Sequence, residues 1–291
     1  MNTRQGKLVS IVLPTHNGRR YLRQAIQSCL DQTYAHLELI IVNDGSTDST
    51  EAIIREYRDE RLTRISLPAN QGLARALNAG FAQAAGGLLT WTSDDNFYAP
   101  EALECMVRFL EAHPAVDFVY ADYSLVDEYG HVLQSVPVPP PERMLVGNGV
   151  GACFLYHRRV YEVLGCYNPE CALAEDYEYW LRVLGRFTMK PLNLPLYFYR
   201  RHSRSLTGRH LHQVWRAKWR VQRIWLSRLP GISSRCLAET CLSLAYEAWV
   251  NGAPWEALRW LSQAALREPL ALFGPHGLGR AARMMWKENG W

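Results

Sequence analysis

An α/β fold on a mainly parallel sheet, followed by an α-helical C-terminal region, is predicted by three observations. Residues 8–13, 37–42 and 88–92 are short runs of nearly continuous apolar character, as in strands buried on both faces. Each gives way to a small polar turn and then to apolar residues at helical spacing, the rhythm of crossover units on a parallel sheet. Beyond Pro230-Gly231 the strand signals stop and only helical spacing remains.

The bulk numbers agree with that class and exclude others. A chain of 291 residues with 48% hydrophobic and 21% charged residues can bury an ample core, which sets disordered and fibrous classes aside. A formal charge of +4 is too small to name a partner. The seven cysteines are odd in number and lack CxxC spacing, so they read as reduced core thiols of a cytoplasmic protein, neither a disulfide framework nor a zinc site. Residues 1–7 are polar, and no apolar run reaches membrane-spanning length.

In chain order, the first strand (residues 8–13) is expected to end at Pro14, with Thr15-His16-Asn17-Gly18 as its turn and a helix from Tyr21. The second strand (37–42) runs into the polar loop 43–50, whose last residues should cap the next helix. A short third strand covers 65–67, Asn70-Gln71-Gly72 leads into a helix over 73–85, and the strand 88–92 reaches Ser93-Asp94-Asp95-Asn96. Pro100-Glu101 should open the following helix. A strand at 117–121, a hairpin turning at 128–130, an exposed proline-rich connector (136–141) and a glycine-bearing loop (148–152) before the strand 153–156 complete this half.

Three strand-end loops (14–18, 43–46 and 93–96) therefore meet on one edge of the sheet, where such folds bind ligands. The adjacent carboxylates Asp94 and Asp95 would repel unless a cation or donors stood between them. Mg²⁺ or Mn²⁺ shared with substrate phosphates answers that need, because these ions take one or two carboxylates and leave other positions to phosphate and water. Alone, the pair would equally serve as helix caps. A GxxxxGK[ST] loop and a GxGxxG after a strand are both absent, which argues against P-loop hydrolases and dinucleotide oxidoreductases.

These motifs together resemble the family 2 glycosyltransferases of GT-A fold, across residues 8–207. Pro14-Thr15-His16-Asn17, Asn43-Asp44-Gly45-Ser46, Asn70-Gln71-Gly72 with Asn78-Ala79-Gly80, Thr92-Ser93-Asp94-Asp95 and Glu175-Asp176-Tyr177 carry the resemblance in order. It implies a GT-A nucleotide-diphospho-sugar transferase fold with a Rossmann-like, mixed but mainly parallel sheet, and inverting transfer of a sugar from a UDP- or dTDP-sugar to an acceptor hydroxyl. The implied nucleotide-sugar residues are Pro14, Thr15, Asn17, Asp44, Gly72, Asn78, Ser93 and Asp94, with Asp44 at the base. The implied metal residues are Asp94, Asp95 and His202. Asp176 is the implied base, and Gly149, Gly151 and Glu175 line the acceptor or donor sugar. Thr92 stands at the first acidic place of the family's DxD, which leaves open which of Asp94 and Asp95 is the direct ligand.

The chemistry asks for the same groups. Departure of a nucleoside diphosphate builds negative charge that a divalent cation offsets, and an acceptor hydroxyl needs a carboxylate to take its proton. A nucleotidylyltransferase would share the sheet and the acids, but would be expected to carry a Gly-rich basic loop after the first strand, which residues 14–18 are not. A non-catalytic nucleotide-sugar-binding scaffold is the alternative from another class.

The division expected is a catalytic domain over 1–205 and a helical region over 206–291. Between Tyr199 and Arg228 there are nine basic residues, no acidic one, and Trp215, Trp219 and Trp225 among them. Such a segment suits an anionic membrane surface at the inner face of the membrane, or tryptophans packed on the catalytic domain with the charges in water. No nucleic-acid motif accompanies it. Two amphipathic helices after residue 231 resemble a single tetratricopeptide unit, which must pack on a neighbour: the preceding helix, the catalytic domain or a second subunit in a homodimer.

Overall fold

The structure, a computed structural model, describes residues 6–272. The last stretch of the expected helical region, residues 273–291, lies outside the described residues, as do residues 1–5 of the polar start. The chain opens with β1 (Val9–Thr15), α1 (Leu22–Leu30), β2 (Leu37–Asp44), α2 (Thr50–Glu56), β3 (Leu62–Leu67), α3 (Leu73–Gln83) and β4 (Leu88–Trp91). These four strands pair in parallel in the order β3-β2-β1-β4, as the alternating strand and helix signals require.

The remaining strands are β5 (Phe97–Tyr98), β6 (Phe118–Val126), β7 (Val132–Val136), β8 (Phe154–His157) and β9 (Met189–Arg200). The sheet continues β4-β8-β6-β9-β5, with β7 on β6. Here only β6 and β9 run parallel, so the sheet is mixed beyond β4. The helices of this half are α4 (Ala102–Ala112), α5 (Arg158–Leu164) and α6 (Glu175–Leu184).

Alternation along the strands divides the core into two layers. Ile11, Leu39 and Ile41 face Leu22 and Ile26 of α1 and Met106 of α4. Val12, Ile40 and Val42 face Leu77 and Phe81 of α3 and join a layer that includes Trp180 of α6. Trp180 is fully buried and lies 4.6 Å from the Phe154 ring and 5.0 Å from Phe118. Truncating an aromatic packed this way costs about 3–5 kcal/mol, so α6 is firmly held.

The structure corrects several boundaries. Pro14 does not end β1: the strand runs on to Thr15, with Pro14 opposite Val42 of β2. The pairing with β4 stops at Val12, so past that point one side of the strand needs no ladder donor. The end of loop 43–50 does cap α2 as expected: Ser49 makes no side-chain capping bond, and the Asp48 carboxylate accepts from the Thr50 amide at 2.9 Å. The short β5 intervenes before α4, where the sequence suggested a helix directly. Residues 136–141 are not a free connector, because Val138 is buried, its amide donates to Asp122 at 2.8 Å, and the Tyr120 hydroxyl donates to the Pro139 carbonyl at 2.7 Å.

The helical region comprises α7 (Leu206–Arg209), α8 (Leu211–Trp225), α9 (Ser234–Val250) and α10 (Pro254–Arg267). Helix α8 is the seam. The Gln222 side chain is fully buried and donates to the Leu145 and Val146 carbonyls at 3.0 Å, while the Trp219 indole donates to Ser243 of α9 at 3.1 Å. Arg143 meets Glu239 of α9 at 2.6 Å, and Arg223 bridges Glu247 and Glu256 at 2.5 and 2.6 Å. The α9–α10 pair thus packs on the preceding helix and, through Glu239 with Arg143, on the half before residue 205, two of the three neighbours expected for it. Among the described residues no helix is long and apolar enough to cross a membrane, and all seven cysteines are free thiols.

Candidate active site

Because β1, β2 and β4 are parallel neighbours, their carboxyl ends deliver three loops to one place. The Thr15 hydroxyl donates to Asp94 Oδ2 at 2.5 Å. The His16 ring Nδ1 donates to the Asp44 carbonyl at 2.7 Å, and the Asn17 amide donates to Ser46 Oγ at 2.9 Å. Asn17 sits at φ +56°, a left-handed conformation asparagine tolerates, and its side-chain oxygen accepts from the Thr47 amide at 2.9 Å. A Cβ on Gly18 would come within 2.1 Å of Asp94 Oδ2 and 2.4 Å of Thr15 Oγ1. Glycine is what lets this carboxylate lie against the first loop.

Asp44 is nearly fully buried and closes the second loop onto the third. Its Oδ1 accepts from the Gln71 amide at 2.8 Å and its Oδ2 from the Gly72 amide at 2.9 Å. Gly72 has φ +87° with open space where a Cβ would stand, so the backbone needs glycine while the surroundings leave room.

Two expected residues are not brought to this cluster. Asn78 is consumed by a reciprocal pair with Tyr167, donating to its carbonyl at 2.9 Å and accepting from its amide at 2.8 Å. Pro14 is buried inside β1, and its side chain offers a ligand no polar group.

At the end of β4 the pattern of acids acquires a reason. Thr92 is 1% exposed and shares a 2.6 Å hydrogen bond with the Tyr197 hydroxyl, so that position faces the core. Asp94 and Asp95 are half-buried. Burial first, and then the neighbouring Asp95 charge, push the Asp94 carboxyl up to about 7. Asp95 Oδ2 lies 3.0 Å from His202 Nε2, while the buried His202 Nδ1 has no partner. Arg200, two residues before His202, turns inward. It is 2% exposed, donates to the Asp95, Asp127 and Glu128 carbonyls, and lies 4.3 Å over the Tyr21 ring. It shapes the Asp95 loop from behind.

Among the described residues no three His, Cys, Asp or Glu side chains converge as a self-sufficient metal cage. The Asp95–His202 pair has the donor chemistry for a cation that takes its other ligands from phosphate and water. Asp95 is thus the carboxylate adjoining the histidine, and Asp94 the one held by the first loop.

The second acidic pair opens α6. Glu175 is 3% exposed with Oε2 unpartnered, and burial followed by the Asp176 charge pushes its carboxyl up to about 7. Asp176 is half-buried and raised by burial, while its hydrogen bond from Asn148 Nδ2 at 2.8 Å acts in the opposite sense. Asn148 was not singled out by sequence. Its only signal was its place in a loop with Gly147, Gly149 and Gly151. Gly151 has φ +66°, and a Cβ there would meet the Tyr123 ring at 2.8 Å; one on Gly149 would meet Pro139 at 2.5 Å. The Tyr199 phenol, raised chiefly by burial, feels both the Asp95 and the Asp176 charge.

A parallel α/β half with acids, an imidazole and a second carboxylate at its strand ends defines a GT-A-type transferase architecture. The family model for glycosyl transferase family 2 matches residues 10–165, and the chain belongs to that family. It is 32% identical over 193 residues to an uncharacterized glycosyltransferase of Rickettsia felis, an alignment covering 61% of this chain but 31% of that protein. The chain thus spans about a third of that relative's length. It is 29% identical over 208 residues to the putative teichuronic acid biosynthesis glycosyltransferase TuaG of Bacillus subtilis, covering 69% of this chain and 82% of that one. The structure of S. aureus TarS residues 1–349 in complex with UDP-GlcNAc superposes with a TM-score of 0.67 at 17% identity, over 90% of this chain and 81% of that one. At that identity the likeness establishes the fold.

Proposed function

We propose that the chain is a metal-dependent inverting glycosyltransferase using a UDP- or dTDP-sugar, with residues 1–205 catalytic and 206–291 a helical region. The observation that carries this is the Asp95–His202 pair, 3.0 Å apart past the end of β4, beside a first loop whose Thr15 holds Asp94, with the carboxylate of Asp176 held by Asn148 at the start of α6. It matches the two demands of the reaction: neutralising a departing diphosphate and accepting a hydroxyl proton. Thr15, Asn17, Asp44, Gly72, Ser93 and Asp94 would form the nucleotide side. Asp44 retains a lone pair on each oxygen for the imide N–H of uracil or thymine after serving the Gln71 and Gly72 amides.

Asp95 and His202, with Asp94 behind them, would hold Mn²⁺ or Mg²⁺, which supplies charge neutralisation at the diphosphate. Asp176, steadied by Asn148, takes the proton as the acceptor oxygen bonds to the anomeric carbon and the bond to the diphosphate breaks. Glu175, Gly149 and Gly151 adjoin the transferred sugar or the acceptor. The name of TuaG supports a role in surface polysaccharide or glycolipid assembly, and that of the UDP-GlcNAc complex supports a UDP-sugar donor. The exposed Arg216 and Arg220 of α8 favour peripheral contact with an anionic membrane. The exposed Trp249, Trp255 and Leu258 leave the α9–α10 pair a face for a second copy.

The test is a thermal-shift panel of nucleotide sugars with and without Mn²⁺, followed by an assay for released nucleotide. Binding at 100 times Kd should stabilise the fold by about 2.7 kcal/mol. Pyrophosphate release would indicate nucleotidylyl transfer, and binding without any release would indicate a scaffold.

A further inference from the structure

The end of β9 grips the Asp95 loop at three points. The Arg200 amide donates to Asn96 Oδ1 at 2.8 Å, Arg200 Nε donates to the Asp95 carbonyl at 3.0 Å, and His202 Nε2 lies 3.0 Å from Asp95 Oδ2. The rest of the Arg200 fork reaches elsewhere. Its Nη1 donates to the Asp127 and Glu128 carbonyls at the tip of the β6–β7 hairpin, at 3.2 and 3.0 Å, and its Nη2 to Gln24 Oε1 of α1 at 2.5 Å. The guanidinium carbon lies 4.3 Å over the Tyr21 ring and 5.4 Å from the Phe97 ring. The Tyr21 ring lies in turn 5.0 Å from the His202 ring. Among the described residues no carboxylate forms an ion pair with this buried cation, and its side-chain hydrogen bonds go to neutral oxygens. An ion pair therefore does not explain the arginine. A planar fork of donors fixes the distances between the oxygens it holds.

We propose that Arg200, through its grip on the Asp95 loop and through the Tyr21 ring, is the positioning residue that sets the Asp95–His202 pair for a divalent cation. The proposal rests on the metal reading of that pair and deepens it by naming what fixes the pair's geometry. The 3.0 Å between the two donor atoms is about the separation of adjacent ligands on an octahedral ion with bonds of about 2.1 Å. A carboxylate on a loop and an imidazole past a strand end, if unsupported, would have to be ordered each time the ion binds. Here folding completes that ordering. Outer partners of this kind are worth about 10–100-fold in metal affinity. The register of β9 keeps the arginine in place, because the Arg201 amide donates to the Val126 carbonyl at 2.8 Å and leaves residue 201 exposed. Tyr21 contributes its face. Its hydroxyl has no hydrogen-bond partner among the described residues, while its ring stands between guanidinium and imidazole. A lysine at position 200 would keep the charge but has no fork to span the Asp95 and hairpin carbonyls.

The experiment titrates Mn²⁺ in the presence of UDP, following the paramagnetic resonance signal of the free ion, and measures UDP binding without Mn²⁺ by calorimetry. Arg200→Lys should weaken Mn²⁺ binding about tenfold and leave metal-free UDP binding unchanged. Excess Mn²⁺ should recover the loss, because both ligands remain. Tyr21→Leu should weaken Mn²⁺ binding several-fold, and Tyr21→Phe, which keeps the ring face, should restore it. If Arg200→Lys does not fold, the two Tyr21 variants decide. In metal-free protein, hydrogen exchange should quicken together at residues 95–97 and 127–130 of Arg200→Lys and stay unchanged at residues 70–73. The proposal is overturned if Arg200→Lys and Tyr21→Leu bind Mn²⁺ as wild type does, or if Tyr21→Phe loses as much as Tyr21→Leu. It is also overturned if metal-free UDP binding falls in step with Mn²⁺ binding, which would make Arg200 a residue of overall structure. Absence of Mn²⁺-dependent binding in wild type would defeat the metal reading. The exchange result would then judge the grip of Arg200 separately, an unchanged pattern overturning it and a joint loss sustaining it.

Discussion

Asn148 Nδ2 donates to Asp176 Oδ2 at 2.8 Å, joining the glycine loop to the first turn of α6. One oxygen of the carboxylate is thereby aimed and the other stays near its own helix, where the Tyr177 amide donates to it at 2.6 Å. The bond also lowers the proton affinity that burial raises. Asn148→Ala should therefore reduce kcat by about tenfold, the effect of roughly 1.4 kcal/mol. It should also move the acid limb of the kcat/KM profile to higher pH, because the base then loses its proton later. An unmoved limb would assign Asn148 a purely structural role.

Asp176→Asn keeps the shape and removes the proposed proton acceptor. Transfer should fall by roughly 10²–10⁴-fold while UDP affinity, measured by calorimetry, is retained. A parallel fall in both would make Asp176 a folding residue.

Asp95→Asn and His202→Ala should each abolish the part of UDP binding that depends on Mn²⁺, and EDTA should reproduce the loss in wild type. Undiminished turnover in EDTA would remove the metal from the reading.

Thr92→Asp restores the family's acidic spacing but sets a carboxylate where the Tyr197 hydroxyl now pairs. Burying an uncompensated charge or a forced neutral acid costs at least about 2 kcal/mol. The melting temperature should drop with no gain in Mn²⁺ affinity. A tighter metal response would show that the site at Thr92 opens.

Glu175 yields a stability prediction with a definite sign. Its carboxyl is raised from an ordinary value of 4.5 to about 7, so between those pH values the folded state holds more protons than the unfolded one. Its contribution is fully present below about 4.5 and is lost as pH rises through about 7. Tm should fall across that window, and Glu175→Gln should flatten the slope. An identical slope in the variant would locate the titrating group elsewhere.

The sequence by itself determined the parallel half of the sheet and the place where its loops meet. Near-continuous apolar runs such as Val9 to Leu13 leave little choice but strands buried on both faces, and the loop residues follow from where those strands end. The acidic pair Asp94-Asp95 is a local feature of the sequence, whereas Asp176 and His202 were marked by the resemblance of their segments to the family. Strand β9 was hidden by Pro191 and Pro195, whose pairing with β6 depends on register shifts that only the assembled sheet defines. Tertiary structure alone decided that Thr92 faces Tyr197, that Arg200 turns inward, that Asn78 answers Tyr167 and that Asn148 reaches Asp176. Each of these joins segments separated in the chain, and a side chain's role is set by the partner that packing brings within hydrogen-bond reach.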